Sequence, residues 1–226
     1  MSNELLMFLL MFWWLSMGLG AAKMGRDWLQ TFIVVSYICL YATNAKMIDI
    51  FGFTTLIGIP IYAGIFLATD VLTERYGKQA GYRVIWISLA AGITFTTCAQ
   101  AALLFKPEPF AQEIHNAMAL LFDAALRIIA AGFVAYIIAQ RFDIWFYHWI
   151  HERTGENRLW LRNNASTLTS QLLDTVIFIT LAFYGTIPND SLIQMIAVGF
   201  VGKAIVAVCD TPFMYLAKKL TPLDMK

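Results

Sequence analysis

Charged side chains are scarce. They make up 14% of the 226 residues, where a soluble domain carries about 25%. So few charges cannot cover a globule of this size with polar surface, which excludes an ordinary soluble protein and a disordered chain. The net charge of +1 also removes a basic nucleic-acid binder, so no nucleic-acid partner is expected. Cysteine is sparse as well. Cys39, Cys98 and Cys209 all lie inside apolar runs without CxxC spacing, which leaves no basis for a disulfide framework or a zinc site. No HExxH occurs, and Gly199-Phe-Val-Gly202-Lys203 resembles a phosphate loop only superficially. The sequence therefore carries no sign of an ATPase, an enzyme or a cofactor site.

What abounds is apolar: 59% of the chain, with a mean hydropathy of +0.65. A membrane-crossing helix takes about 20 apolar residues, so seven would need about 140, close to what the chain holds. The sequence predicts an all-α polytopic membrane bundle, a single integral domain over 1–226. Its expected spans are 4–22, 28–47, 54–74, 80–105, 117–140, 165–187 and 191–217. Turn signals separate them, among them Phe51-Gly52, Tyr76-Gly77-Lys78 and Pro107-Glu108-Pro109. The stretch 141–163 mixes Trp145, Phe146, Trp149 and Trp160 with Arg153, Glu156, Arg158 and Arg162, the composition of a segment lying among lipid headgroups. The first run has Glu4 and no basic residue before it, unlike a secretory signal, and reads as an uncleaved helix.

Orientation follows from the basic residues. With the N-terminus outside, Lys23, Arg26, Arg75, Lys78, Arg83, Arg141, Arg153, Arg158, Arg162, Lys218, Lys219 and Lys226 are cytoplasmic. Only Lys46 and Lys106 are external, which satisfies the positive-inside rule in an inner (cytoplasmic) membrane.

Ionisable groups at membrane depth cost about 2.5–3.5 kcal/mol each on insertion scales, so they face a bundle interior, a partner or a wet path. Here they are Asp70, Glu74, Asp123, Arg127, Asp174, Lys203 and Asp210, enough to imply an internal polar cavity. Tyr62, Phe66, Asp70 and Thr73 share one helical face, two aromatic surfaces above a carboxylate. Packing explains the aromatics equally, and an interfacial position explains Glu74. Pro60 suggests a break near the outer end of that span. Asp123 and Arg127 stand at i, i+4, as an ion pair or a site. Asn164, Thr167, Gln171 and Asp174 lie along one face of the sixth span. Lys203 and Asp210 share a face of the seventh, where Lys203 could instead neutralise Asp174 or Asp123. Pro212 there frees a carbonyl one turn earlier, as in broken helices that line substrate sites.

Taken in order, Asn44-Ala-Lys46, Phe66-Leu-Ala-Thr69-Asp70, Thr73-Glu74-Arg75-Tyr76-Gly77 and Asn164-Ala-Ser166-Thr167 with Gln171 and Asp174 resemble the queuosine precursor transporter family, also called the vitamin uptake transporter family. Arg127, Asp143, Lys203 and Thr211-Pro212 with Tyr215 fit the same pattern, over roughly 28–220. Members usually show six spans, which makes 4–22 an added helix on a transporter core of 28–217. The resemblance implies import of 7-deazaguanine precursors of queuosine. The residues suit such a small-molecule partner. A carboxylate accepts the paired N–H and NH₂ donors of a guanine-like edge, the ring carbonyl wants Gln171, Asn164 or Lys203, and Tyr62 or Phe66 offers a stacking face. On this reading Asp174 and Gln171 take the base edge, while span three supplies the stacking face and a second acid, Asp70 or Glu74. Asn44 and Arg127 complete the candidate set. Six core spans divide as three plus three, an inverted repeat suited to alternating access. Lipid surrounds the bundle, and a homodimer is compatible with it. The rivals are a substrate-binding component borrowing a separate ATPase, a membrane enzyme using Asp70 with Asp174, and a purely structural bundle.

Overall fold

The computed structural model describes residues 2–43, 46–122 and 126–225, so Asn44 and Asp123 lie outside the described residues, as does the Arg127 side chain. Among the described residues the chain is an all-α bundle of eight α-helices with one small hairpin. The helices are α1 (Asn3–Met24), α2 (Arg26–Thr43), α3 (Ile59–Tyr76), α4 (Lys78–Leu104), α5 (Gln112–Phe122), α6 (Leu126–Thr154), α7 (Leu159–Phe183) and α8 (Asn189–Lys219). Four of them, α1, α4, α7 and α8, are long and apolar enough by themselves to cross a membrane.

Local chemistry sets the boundaries. Ser2 caps α1 by accepting from the Leu5 N–H, Glu4 sits in the first turn and Lys23 in the last, each favourable to the helix dipole. Gly25, at φ +118°, ends α1 in a conformation other residues avoid. A Cβ there would also collide with the Asp224 carboxylate, which accepts from the Arg26 N–H at 2.8 Å and ties the chain's end to the α1–α2 corner.

Four expectations need correction. Residues 47–56 are not the ends of two spans. Met47–Ile50 (β1) and Phe53–Leu56 (β2) pair antiparallel about Phe51-Gly52, both at positive φ, as a two-residue hairpin turn requires. Pro60 does not break a helix, because α3 starts at Ile59 and proline fits the first turn, where its missing N–H is not needed. Nor is 141–163 a segment apart from the spans on either side. α6 runs on to Thr154 with Asp143, Ile144, Tyr147 and Ile150 buried and Trp145 and Trp149 exposed, and α7 already begins at Leu159. α8 likewise continues through Pro212.

α3 is the axle of the bundle, packing on α1, α2, α4 and α8. Every residue from Ala63 to Thr73 is buried. This explains why so polar a helix needs no lipid-compatible surface: protein surrounds it. Close approach is secured by glycines, with Gly64 of α3 against Trp14 of α1 and Gly81 of α4 against Thr73 and Ile144. α7 packs mainly on α6 and α8. At the hairpin end, Asn3 donates to the Asp49 carbonyl and Glu4 accepts from the Phe51 N–H.

Candidate functional site

Three helices converge on a narrow pocket with a cavity of about 10 Å³, room for about one water molecule. α3 contributes Ile59, Tyr62, Ala63 and Phe66; α7 contributes Thr167 and Gln171; α8 contributes Lys203, Ala207 and Asp210. Each set repeats at three or four residues, so each helix turns one stripe inward. The cavity is far below the ~300–1,000 Å³ of drug-sized sites, so the helices must part to admit a solute.

The walls differ in character. On one side the Tyr62 and Phe66 rings stand with centroids 6.4 Å apart. Lys203 Nζ lies 4.8 Å from the Tyr62 ring centroid and 2.5 Å from Asp174 Oδ2. Asp174 is therefore engaged by Lys203 and stands behind the pocket, while Asp210 is on its wall. The facing side holds acceptors that lack donors: the Gln171 Oε1 and Asp210 Oδ2 atoms are buried without a hydrogen-bond partner. Asp210 Oδ1 accepts from Asn163 Nδ2 at 2.9 Å. Buried acceptors left open in this way are costly unless something brings N–H or O–H groups to them.

Deeper than the pocket wall, Asp70 Oδ2 accepts from Thr167 Oγ1 at 3.3 Å, and Asp143 Oδ1 from Ser170 Oγ at 2.9 Å. The remaining candidates sit elsewhere. Asn164 donates to the Trp160 carbonyl and to Thr211 Oγ1 at 2.7 Å, joining α7 to α8. Glu74 belongs to a charged clasp at the end of the bundle remote from the hairpin. It pairs with the fully buried Arg162, accepts from Tyr147 Oη at 2.9 Å and meets Lys218 at 3.3 Å. Lys218 also meets Glu156 at 2.7 Å, and this ammonium holds the exposed Glu156 carboxyl below its ordinary range. Beside it Arg75 donates to the carbonyls of Ala22, Ala217 and Leu220, binding α1 and α8 to α3.

Site reasoning from sequence noted Asp143 as part of the family pattern and Asp210 on the face of Lys203 but left both out of the candidate set, and it passed over Asn163. Asp143 falls in the stretch read as interfacial, and Asn163 adjoins Asn164, whose face was taken as the functional one. The signal for Asp143 was its spacing: Asp143, Tyr147 and Ile150 mark one helical face through a run of outward tryptophans.

Residues 56–217 match the family described as "Putative vitamin uptake transporter". The chain belongs to this family. It is thus a multi-pass membrane transporter for a small-molecule solute. A "Probable queuosine precursor transporter" of Bacillus subtilis (strain 168) is 34% identical over 207 residues, 91% of this chain and 88% of that protein. The "Queuosine precursor transporter" of Escherichia coli (strain K12) is 27% identical over 137 residues, 61% of this chain and 59% of that protein. One from Haemophilus influenzae, again a "Probable queuosine precursor transporter", is 23% identical over 147 residues, 65% of this chain and 60% of that protein. No solved structure matches. The matched segment contains α3, α7 and nearly all of α8, and so the whole pocket.

Proposed function

We propose that the chain imports queuosine precursors, 7-deazaguanine-type bases, across the inner (cytoplasmic) membrane by alternating access, with its N-terminus outside. The observation that carries this reading is the pairing of two open acceptors, Gln171 Oε1 and Asp210 Oδ2, with an aromatic wall of Tyr62 and Phe66 in one small pocket. A deazaguanine presents ring N–H and exocyclic NH₂ donors side by side along one edge, which a carboxylate and an amide oxygen accept. Its flat face stacks on the tyrosine and phenylalanine. The Lys203 ammonium, held in place by Asp174, is the donor for the ring carbonyl. Relatives bearing the queuosine precursor name support the choice of solute. Glu74 and Asn164 serve closure and helix contact on this assignment, and Asp70 serves from behind the wall.

The hairpin end faces outward, which sets the basic clasp around Arg75, Arg162 and Lys218 in the cytoplasm. A hollow of about 330 Å³ beneath the hairpin, lined by Asn3, Lys46, Asp49 and Pro60 among others, is the outer approach. The test uses cells unable to make the precursor, supplied with a trace of it outside, and assays tRNA for the modified base. The wild-type gene restores the base and Asp210→Asn, inserted at equal level, does not. Restoration by Asp210→Asn as efficient as wild type, or none by wild type, overturns the assignment.

A further inference from the structure

Three carboxylates from three helices gather beside the pocket: Asp70 of α3, Asp143 of α6 and Asp210 of α8 are each at most 1% exposed. Asp70 and Asp143 lie within hydrogen-bonding reach of each other, and Asp210 is near enough to act on both through its charge. Among the described residues the groups that meet them are neutral: Asn163, Thr167, Ser170 and Ser166 of α7, with Tyr147 of α6 close enough to feel the Asp70 charge. The charged groups of the neighbouring elements are spoken for. Glu74 of α3 pairs with Arg162 of α7, and Asp174 of α7 with Lys203 of α8. Among the described residues no cation forms an ion pair with any of the three.

The cluster also has open acceptors. Asp143 Oδ2, Asp210 Oδ2 and Asn163 Oδ1 are buried and receive no hydrogen bond, although the Asn163 amide nitrogen is committed to Asp210. An ionised carboxylate only accepts, so two of them at contact distance form a bond only with a proton between them. Three uncompensated negative charges in a low-dielectric interior are prohibitive, and a carrier that closes over them must close over something positive. A transition-metal or other divalent ion is the weaker occupant, because no three acidic, histidine or cysteine groups converge as metal ligands among the described residues; sodium is the rival that the experiment below separates.

We infer that the Asp70–Asp143 pair, one wall behind the solute pocket at Asp210, binds the proton that couples this carrier to the transmembrane proton gradient. This rests on the import reading above. A proton taken from the outer medium bridges the two carboxyls, travels inward with the solute as the carrier reorients, and leaves to the cytoplasm, where the pair ionises again. Asp210 links the two events. A proton on the pair favours the ionised form of Asp210, the form that accepts the solute's N–H donors, and those donors in turn hold Asp210 ionised and the proton on the pair.

Full-length protein in liposomes, with radiolabelled 7-cyano-7-deazaguanine as probe, tests this. With the outside made acidic, wild type accumulates the probe, a proton ionophore abolishes accumulation, and a sodium gradient alone drives none. Asp143→Asn, which cannot release a proton, loses accumulation by about tenfold or more, while exchange of labelled for unlabelled probe, which moves no net proton, falls far less. Accumulation indifferent to the ionophore, accumulation driven by sodium, or an Asp143→Asn protein that concentrates the probe like wild type would each overturn the proton site. The ionophore arm on wild type decides the matter even if Asp143→Asn fails to insert. Absence of exchange by wild type rejects the solute reading itself, and is recognisable as that.

Discussion

Tyr62 meets two partners at once, the Phe66 ring and the Lys203 ammonium. Aromatic stacking contributes about 0.5–1.5 kcal/mol beyond simple burial, so Tyr62→Ala is expected to raise the KM for uptake about 2- to 12-fold, with Tyr62→Phe close to wild type. An equal loss in both variants would place the hydroxyl, not the ring, at the solute. Lys203→Met carries a different cost. It leaves Asp174 charged and unpaired where its side chain is 6% exposed, a change of about 3–5 kcal/mol for a buried pair. A lower melting temperature in detergent is expected, and adding Asp174→Asn should recover part of it, which a double-mutant cycle measures. Tyr62, Phe66, Gln171 and Lys203 were readable from sequence because polarity at depth and a three-to-four-residue spacing both mark an inward face. Whether Asp174 or Asp210 reaches the pocket was not. That depends on which carboxylate Lys203 selects, a tertiary choice that two acids on neighbouring helices leave open.

At the scale of helices, α3 is held by close backbone approach, and α8 along its length by Lys203, Asp210 and Thr211 and at its C-terminal end by Arg75. A Cβ on Gly81 would lie 2.5 Å from Thr73 Oγ1 and 2.9 Å from Ile144 Cδ1, and overpacking of this kind costs about 1–3 kcal/mol. Gly81→Ala should therefore lower the melting temperature while leaving membrane insertion intact; an unchanged melting curve would mean that α4 simply moves aside. The end of the chain is tied by Asp224, whose carboxyl the Arg26 N–H holds below its ordinary value, with help from Tyr76 and Arg75. A group depressed in the folded state stabilises above its ordinary value of about 3.9 and loses that contribution as pH falls through the depressed one. A spin label at position 225 should thus stay immobile at neutral pH, loosen in acid, and already be loose at neutral pH in Asp224→Asn. The helices were legible as apolar runs, but the hairpin was not: Ile48, Ile50, Phe53 and Leu56 continue the hydropathy of the spans on either side. Beyond residue 141 the opposite error arose, because charged and tryptophan side chains on the outer face hid a helix whose inner face is buried.

For the whole molecule, Arg75, Arg162 and Lys218 lie at one end and the hairpin at the other. This arrangement follows the count of basic residues that the sequence allowed, and reporter fusions should place Phe51 outside and Leu223 inside. Importing a base demands that both ends open in turn, so the Glu74–Arg162–Lys218 clasp must part once per cycle. The central claim is nonetheless local. Equilibrium binding of a labelled 7-deazaguanine precursor to the purified protein tests it most directly. Wild type should bind one molecule saturably and Gln171→Ala should bind at least about tenfold more weakly, since the amide oxygen meets a base donor in a dry pocket. Equal binding by the two proteins would contradict the account.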